Sequence, residues 1–407
     1  MRVVIIGLSA AGSAAAEAVR RQDPAAEITV LNGEKRPFYL RLDLGELFGG
    51  KTAEQLQPRP DDFWREKRIT VLPVRATGLD IHAKEVLGED GGRIAYDRLL
   101  IATGASPRRL AVPGHNLGGI SGYHTMADVE RILQWKDRIG RVVVIGGGIL
   151  GLEMAQISRR SGWETSLVVR HPFPGQPMLD ARGGGFLKKA LDRAGIRLYL
   201  DEEVAAFTGE QGQLKAVVTT GGREIAADAA FICIGVEPET GFLRGSGVLT
   251  DERLVVNDRL ETAVPGVFAA GDVAVVRTEG GEQISCFTWT VASAQGRTAG
   301  ANLCGAGTVW KPETLFDPDH LFDQDFTLIG DWMHRHRQGR IITEITGEDH
   351  YRAVVTADGI LESAFLLGDR TGDSLLRKLI ARRAVLHGDV RRLFQAGAQA
   401  DDFLPHD

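Results

Sequence analysis

Four β-branched residues, Val142 to Ile145, run straight into Gly146-Gly147-Gly148-Ile149-Leu150-Gly151, and a helix-forming stretch follows from Leu152 to about Ser161. Glycines at the first, third and sixth positions of such a turn have separate jobs. The first allows the sharp exit from the strand, the second lets the backbone approach a pyrophosphate, and the third lets helix and strand pack closely. The helix N-terminus then offers unpaired N–H groups and the positive end of its dipole to the phosphates. Gly146, Gly148, Ile149, Leu150 and Gly151 are therefore candidate contacts of a dinucleotide.

A second copy opens the chain. Val3-Val4-Ile5-Ile6 precedes Gly7-Leu8-Ser9-Ala10-Ala11-Gly12 and an alanine-rich segment from Ser13 to Arg21. Ser9 stands where the middle glycine would be. Its Cβ crowds a pyrophosphate, while its hydroxyl can donate to a phosphate oxygen. Gly7, Ser9, Ala11 and Gly12 are the candidate contacts here. After the next strand, Glu27 to Leu31, Glu34 falls about 20 residues past Gly12, where an acidic side chain can bond the adenosine ribose hydroxyls. Asn32 competes for that role, and a solvated turn carboxylate is the plain alternative for Glu34. In the later copy no acid occupies this place: Val169 is followed by Arg170 and His171. A cation there suits a 2′-phosphate, which favours NADPH over NADH; a solvent-facing Arg170 with no preference is the alternative.

Each copy is a strand-turn-helix-strand unit, so whole domains repeat. The fold class expected is α/β, with two Rossmann-like dinucleotide-binding domains and a small C-terminal α+β domain. The first dinucleotide-binding domain would be discontinuous, 1–109 and 240–308, the second would span 110–239, and the C-terminal domain 309–407. Pro107 to Gly122 reads as a linker. A strand from Gly266 to Ala270 runs into Gly271-Asp272, and a helix of small residues spans about Trp289 to Leu303. In the last hundred residues, Tyr351–Thr356 and Leu361–Leu367 alternate as antiparallel strands do, and an amphipathic helix is expected around Leu375 to Leu386.

Composition narrows the function. The 407 residues carry a net charge of −6, too small for a general nucleic-acid footprint. The 50 glycines fit a backbone that often turns tightly or approaches something closely. Three cysteines, Cys233, Cys286 and Cys304, form no CxxC-like pair, which favours a reducing compartment and argues against a thiol–disulfide site. No apolar run reaches the ~18 residues of a membrane span. The N-terminal stretch reads better as strand-turn-helix than as a signal peptide, so a cytoplasmic location is expected. No His/Cys/Asp spacing suggests a metal, and His334-x-His336 reads as a strand or loop face. Two dinucleotide sites without metal or thiol pair imply FAD held permanently and NAD(P)H as the exchangeable donor.

The chain resembles the two-dinucleotide-binding flavoproteins, and among them the rubredoxin reductase, ferredoxin reductase and nitrite reductase diaphorase branch. The matching segments are GLSAAG, Tyr39-Leu40-Arg41, LLIATGASP (99–107), GGGILGLE (146–153), ICIGVEPE (232–239), TAVPGVFAAGD (262–272) and TWTVASAQG (288–296). The resemblance implies that Gly271 and Asp272 meet the ribityl chain of FAD, and that Ala102, Thr103 and Gly104 mark the chain's return past the flavin. It implies an adenine contact at the Ala76 backbone and cofactor contacts at Arg41 and Gly235. Trp289, opening a helix aimed at the flavin's N1–C2=O edge, and Glu153, beside the nicotinamide, are the candidate catalytic residues. A helix N-terminus at that edge is physically sound, because reduced flavin carries negative charge there. Core packing for Trp289 and an exposed helix position for Glu153 are the plainer readings.

There are departures. Residues 38–50 hold no cysteine, and where many oxygenase-type reductases have a lysine after the Arg41 segment this chain has Glu46. Cys286, three residues before Trp289, reads as an inert thiol. With no cysteine relay, the reduced flavin must be reoxidised directly. A one-electron carrier protein such as rubredoxin or ferredoxin, or a partner redox subunit, is the expected acceptor. A thiol-free oxidase or quinone reductase is the enzymatic alternative, and a flavin-bearing redox sensor is the non-catalytic one. The basic C-terminal pairs Arg377-Lys378, Arg382-Arg383 and Arg391-Arg392 read as a solvated face in preference to a docking site. Neither nucleic acid nor membrane is expected as a partner, and homodimerisation stays open.

Overall fold

The computed structural model of the chain describes residues 1–60, 62–176, 178–281, 283–285, 287–311, 314–330, 340–345, 350–387, 389–395 and 397–404. It divides into two compact units, one of residues 1–106 with 236–312 and the other of 107–235 with 313–407.

The first unit is built on a five-stranded parallel sheet in the order Val267–Ala269, Arg98–Ile101, Arg2–Ile6, Glu27–Leu31, Ile69–Leu72. Val3, Ile5, Leu99, Leu100 and Ile101 are fully buried, as strands covered on both faces require. The helix Ala10–Gln22 follows the first strand, and the helix Trp289–Leu303 lies against it. Small residues make that crossing close. A Cβ on Gly296 would overlap the Ala11 carbonyl, and one on Gly300 would lie 2.6 Å from the Ala15 carbonyl oxygen.

The second unit repeats the plan with a parallel sheet ordered Arg197–Leu200, Glu164–Val169, Arg141–Ile145, Ala229–Ile232, Ile120–Gly122. The end of the expected linker is thus a strand: Ile120, Ser121 and Gly122 pair with Ala230, Phe231 and Ile232 at the sheet edge. The same unit holds an antiparallel C-terminal sheet ordered Phe316–Leu321, Gln324–Gly330, Ile360–Leu367, Tyr351–Ala357, Arg340–Ile345. One face of it packs on the helix Asp373–Ala381 through Leu366, Leu376 and Leu379. That helix stops five residues short of the expected end. Arg383 turns left-handed (φ 50°), and the Ala384 N–H donates to the Leu379 carbonyl, closing a C-terminal cap.

The C-terminal sheet is also fastened to the dinucleotide fold of its own unit. The Tyr351 hydroxyl donates to Asp180, 2.9 Å away, and Asp180 in turn caps the helix Ala181–Arg193 by accepting from the Gly183 N–H at 2.8 Å. A Cβ on Gly183 would stand 2.8 Å from the Tyr351 ring. Farther along, Gln156 donates to the His320 carbonyl and accepts from the Phe322 N–H.

Candidate functional site

In the first unit the turn after the opening strand is closed by necessity. Gly7 has φ 110°, and a Cβ there would overlap the Ala102 carbonyl; a Cβ on Gly12 would overlap the Gly7 carbonyl. Ser9 is the N-cap of Ala10–Gln22 but makes no side-chain capping bond, and the first helical turn holds no acid. The terminal N–H groups therefore have no side-chain acceptor at the cap, which suits an anionic phosphate. Ala11 is buried and serves as packing: Gly271 would bring a Cβ within 3.2 Å of it.

Glu34 lies in the turn beyond the second strand and accepts from the Tyr39 hydroxyl at 2.7 Å and from Arg41. The amide of Asn32 is spent inside the turn, donating to the Arg36 carbonyl at 2.6 Å. Burial works against the Arg41 charge, but Glu34, Tyr39 and Asp272 outweigh it and raise the guanidinium pKa above its ordinary value. Arg41 thus acts electrostatically on both the proposed ribose acid and the proposed ribityl acid. Burial pushes the Asp272 carboxyl up to about 7, against the opposing pull of Arg41 and its own backbone N–H.

Gln295, 2% exposed, accepts from the Gly271 N–H at 2.8 Å, so the turn carrying Asp272 is tied to the helix that Trp289 begins. Thr288 caps that helix without a side-chain bond, and its buried hydroxyl has no hydrogen-bond partner among the described residues. An orphaned hydroxyl and an uncapped helix end fit the polar edge of a flavin. Trp289 stacks on Phe38, with centroids 6.1 Å apart and planes at 20°. The Ala102 N–H donates to the Ile6 carbonyl, the Thr103 hydroxyl to the Glu239 carbonyl, and the Glu239 N–H to the Gly104 carbonyl. Ala76 opens a short antiparallel strand paired to Gly88.

The second unit reproduces the cradle. A Cβ on Gly146 (φ 114°) would overlap the Cys233 carbonyl, and one on Gly151 would overlap the Gly146 carbonyl. A Cβ on Gly148 would meet nothing within 4 Å, which is the open side a pyrophosphate needs. Gly148 caps the helix Ile149–Arg160 with no side-chain bond and no acid in the first turn, so Ile149 and Leu150 begin a helix whose end is free for phosphate. Glu153, one turn in, accepts from the Tyr123 hydroxyl at 2.9 Å. Burial first, then the Glu153 charge, raises the pKa of that phenol, which stays a neutral donor. Gly235 is left-handed (φ 97°) and accepts from the Arg108 N–H at 3.0 Å. Arg170 is exposed just past the strand Glu164–Val169 and lies 3.3 Å from His171 through its Nε; burial and then the Arg170 charge lower the His171 pKa.

Tyr123, Gln156 and Gln295 are the polar residues that sequence reasoning missed. Only Gln295 left a signal, as a lone amide in the small-residue run TWTVASAQG. Cys286 and the pair His334, His336 lie outside the described residues. Of the other thiols, Cys233 is buried and its pKa raised by burial. Among the described residues no cluster of His, Cys, Asp and Glu could hold a metal ion, and no helix is long and apolar enough to cross a membrane.

Two cradles of strand, glycine turn and open helix end define a protein with two dinucleotide-binding folds. The chain belongs to the pyridine nucleotide-disulphide oxidoreductase family, which it matches over residues 1–296. Its cofactors are FAD and a pyridine nucleotide. It is 33% identical over 306 residues to apoptosis-inducing factor 3 from Homo sapiens, covering 74% of this chain and 50% of that protein. The chain thus spans about half the length of the first curated relatives it matches. It is 28% identical to the ferredoxin–NAD(+) reductase component of the biphenyl dioxygenase system from Paraburkholderia xenovorans, over 99% of this chain and 98% of that one. The crystal structure of NADH:rubredoxin oxidoreductase from Clostridium acetobutylicum aligns with a TM-score of 0.79 at 26% identity, covering 96% and 97% of the two chains.

Proposed function

We propose that the chain takes hydride from NAD(P)H onto FAD and passes the electrons singly to a small iron carrier protein or a partner redox subunit. In this reading 1–109 with 240–308 holds FAD, 110–239 holds the nicotinamide cofactor, and 309–407 completes the fold, as a monomer or homodimer in the cytoplasm. The observation that carries it is the pair of glycine cradles in a chain whose three cysteines form no close pair in sequence. FAD supplies hydride acceptance and one-electron release. The chain's own residues bind and orient: Asp272 would hold the ribityl chain, the N-terminus of Trp289–Leu303 would stabilise negative charge on the ring, and Glu153, steadied by Tyr123, would lie beside the nicotinamide. The names of the full-length relatives support the choice of acceptor.

The test is stopped-flow mixing with NADH and NADPH, followed by an acceptor panel of rubredoxin, a [2Fe–2S] ferredoxin, oxygen and a quinone. Fast bleaching of the flavin band with fast recovery on the iron carriers is expected. Reduction that takes minutes would point to a sensor, and recovery with oxygen or quinone alone to an oxidase or quinone reductase; either result removes the proposal.

We infer a preference for NADPH from the exposed Arg170 next to His171. Arg170→Glu should cut the NADPH-to-NADH ratio of kcat/KM by about tenfold, the order expected when a charge-assisted phosphate contact becomes a repulsion. An unchanged ratio would leave Arg170 as a surface residue.

A further inference from the structure

We infer that Tyr123 is a positioning residue that holds Glu153 in its charged form, so that the cradle of the second unit favours the cationic, oxidised nicotinamide ring over the neutral, reduced one. This rests on the proposed function and deepens it. Gly122, Ile232 and Ile145 stand in register across three parallel strands. Tyr123, Cys233 and Gly146, the next residue of each, therefore leave the sheet at one carboxyl edge, where open α/β sheets take their ligands. Gly146 begins the glycine turn, and Glu153 follows on the helix Ile149–Arg160. Tyr123 is 2% exposed, and its hydroxyl donates to Glu153 Oε1 at 2.9 Å. Glu153 itself is half-buried. A phenylalanine would serve the packing equally well; the hydroxyl serves the carboxylate.

The groups around Glu153 come from three other elements. Cys233 follows the central strand Ala229–Ile232, and burial and then the Glu153 charge raise its thiol pKa. Burial and the Glu153 charge likewise raise the Tyr123 phenol, with smaller pushes from Cys233 and Asp319, so it stays a protonated donor. Asp319 lies on the strand Phe316–Leu321 beside His320, whose carbonyl accepts from Gln156 on the helix that carries Glu153. His124 follows Tyr123, with its N–H on Asp128 at 3.2 Å. A neutral thiol and a second carboxylate do nothing to favour charge on Glu153, whereas a hydrogen bond donated to a carboxylate favours its ionised form. The chemistry makes that charge matter. When a dihydronicotinamide gives up hydride from C4, both electrons of the broken C–H bond go to the flavin and the nicotinamide ring is left with one positive charge; Glu153 neither gains nor loses a proton. A carboxylate beside the ring stabilises that charge as it develops, and a carboxylic acid does not.

The test compares the flavin-loaded full chain with Tyr123→Phe at pH 6 and pH 8. Binding of NADP+ and NAD+ is measured by calorimetry, and the rate and apparent Kd for NADPH and NADH by stopped-flow reduction. Without the phenol, Glu153 takes a proton more readily as pH falls, so the defect should grow toward acid. At pH 6 the variant should bind the oxidised nucleotides about tenfold more weakly and be reduced about tenfold more slowly, with both gaps narrowing at pH 8. The apparent Kd for the reduced nucleotides should barely move. Flavin content and bleaching by dithionite should match the wild type, which shows that the variant is folded. On a Glu153→Gln background, Tyr123→Phe should add nothing further. Oxidised and reduced nucleotides weakened alike, a loss that ignores pH, or an additive loss on Glu153→Gln would each overturn the inference and leave Tyr123 as packing. A wild-type chain that neither NADPH nor NADH reduces removes the proposed function, and this role with it.

Discussion

Gly151→Ala should give a yellow protein that NAD(P)H scarcely reduces. The added methyl would occupy the space of the Gly146 carbonyl, whose oxygen would stand 1.9 Å from it. Strand and helix must then separate at the point where the pyrophosphate is proposed to sit, and a misplacement of about 1 Å costs about a hundredfold in rate. The change lies in the second unit, so the flavin should stay bound and dithionite should still bleach it. Stopped-flow reduction by NADPH and NADH provides the measurement. Reduction at the wild-type rate would mean that the nicotinamide cofactor does not use this turn.

Asp272→Ala should strip the protein of FAD on dilution. A hydrogen bond to a charged group contributes about 1.5–3 kcal/mol, so the Kd should rise about ten- to a hundredfold. Full flavin retention after gel filtration would show that the ribityl contact lies elsewhere. The same carboxyl predicts a pH effect in the FAD-free protein. Its folded pKa of about 7 lies above the ordinary value of 3.8, so the folded form holds the proton more tightly than the unfolded chain. The FAD-free protein should lose stability as pH rises from about 4 through about 7, and Asp272→Asn should remove that part of the slope. A hydroxyl donating to Asp272 favours its ionised form, so FAD should bind more tightly as pH rises toward 7. Thermal melts and fluorescence titrations from pH 5 to 8 would reveal both trends.

The parts of this protein legible in its sequence are those enforced locally. Gly7, Gly12, Gly146 and Gly151 cannot carry a side chain, and that restriction appears in the sequence wherever the turn does. Strands buried on both faces, such as Arg141–Ile145, show up as β-branched runs, and the helix Trp289–Leu303 has the expected bounds. Contacts between distant residues stayed hidden. Tyr123 reaches Glu153 across 30 residues, Gly271 reaches Gln295 across 24, and Gln156 reaches Phe322 across 166. The strand Ile120–Gly122 is three residues long and acquires its identity only from its partner strand. The helix ending at Ala381 is stopped by a left-handed arginine, a residue type that gives no warning of a cap.

The bonds from Tyr351 to Asp180 and from Gln156 to the hairpin at His320 and Phe322 bear on engineering. They mortise the last hundred residues into the scaffold proposed to receive the nicotinamide cofactor. That tail is no interchangeable cassette: grafting one from a related reductase would leave the glycine-rich start of Ala181–Arg193 and the flank of Ile149–Arg160 facing a foreign surface. Chimeras meant to borrow a new redox partner should therefore exchange 107–235 and 313–407 together, leaving 1–106 and 236–312 from the other parent, because that is how the chain itself is joined.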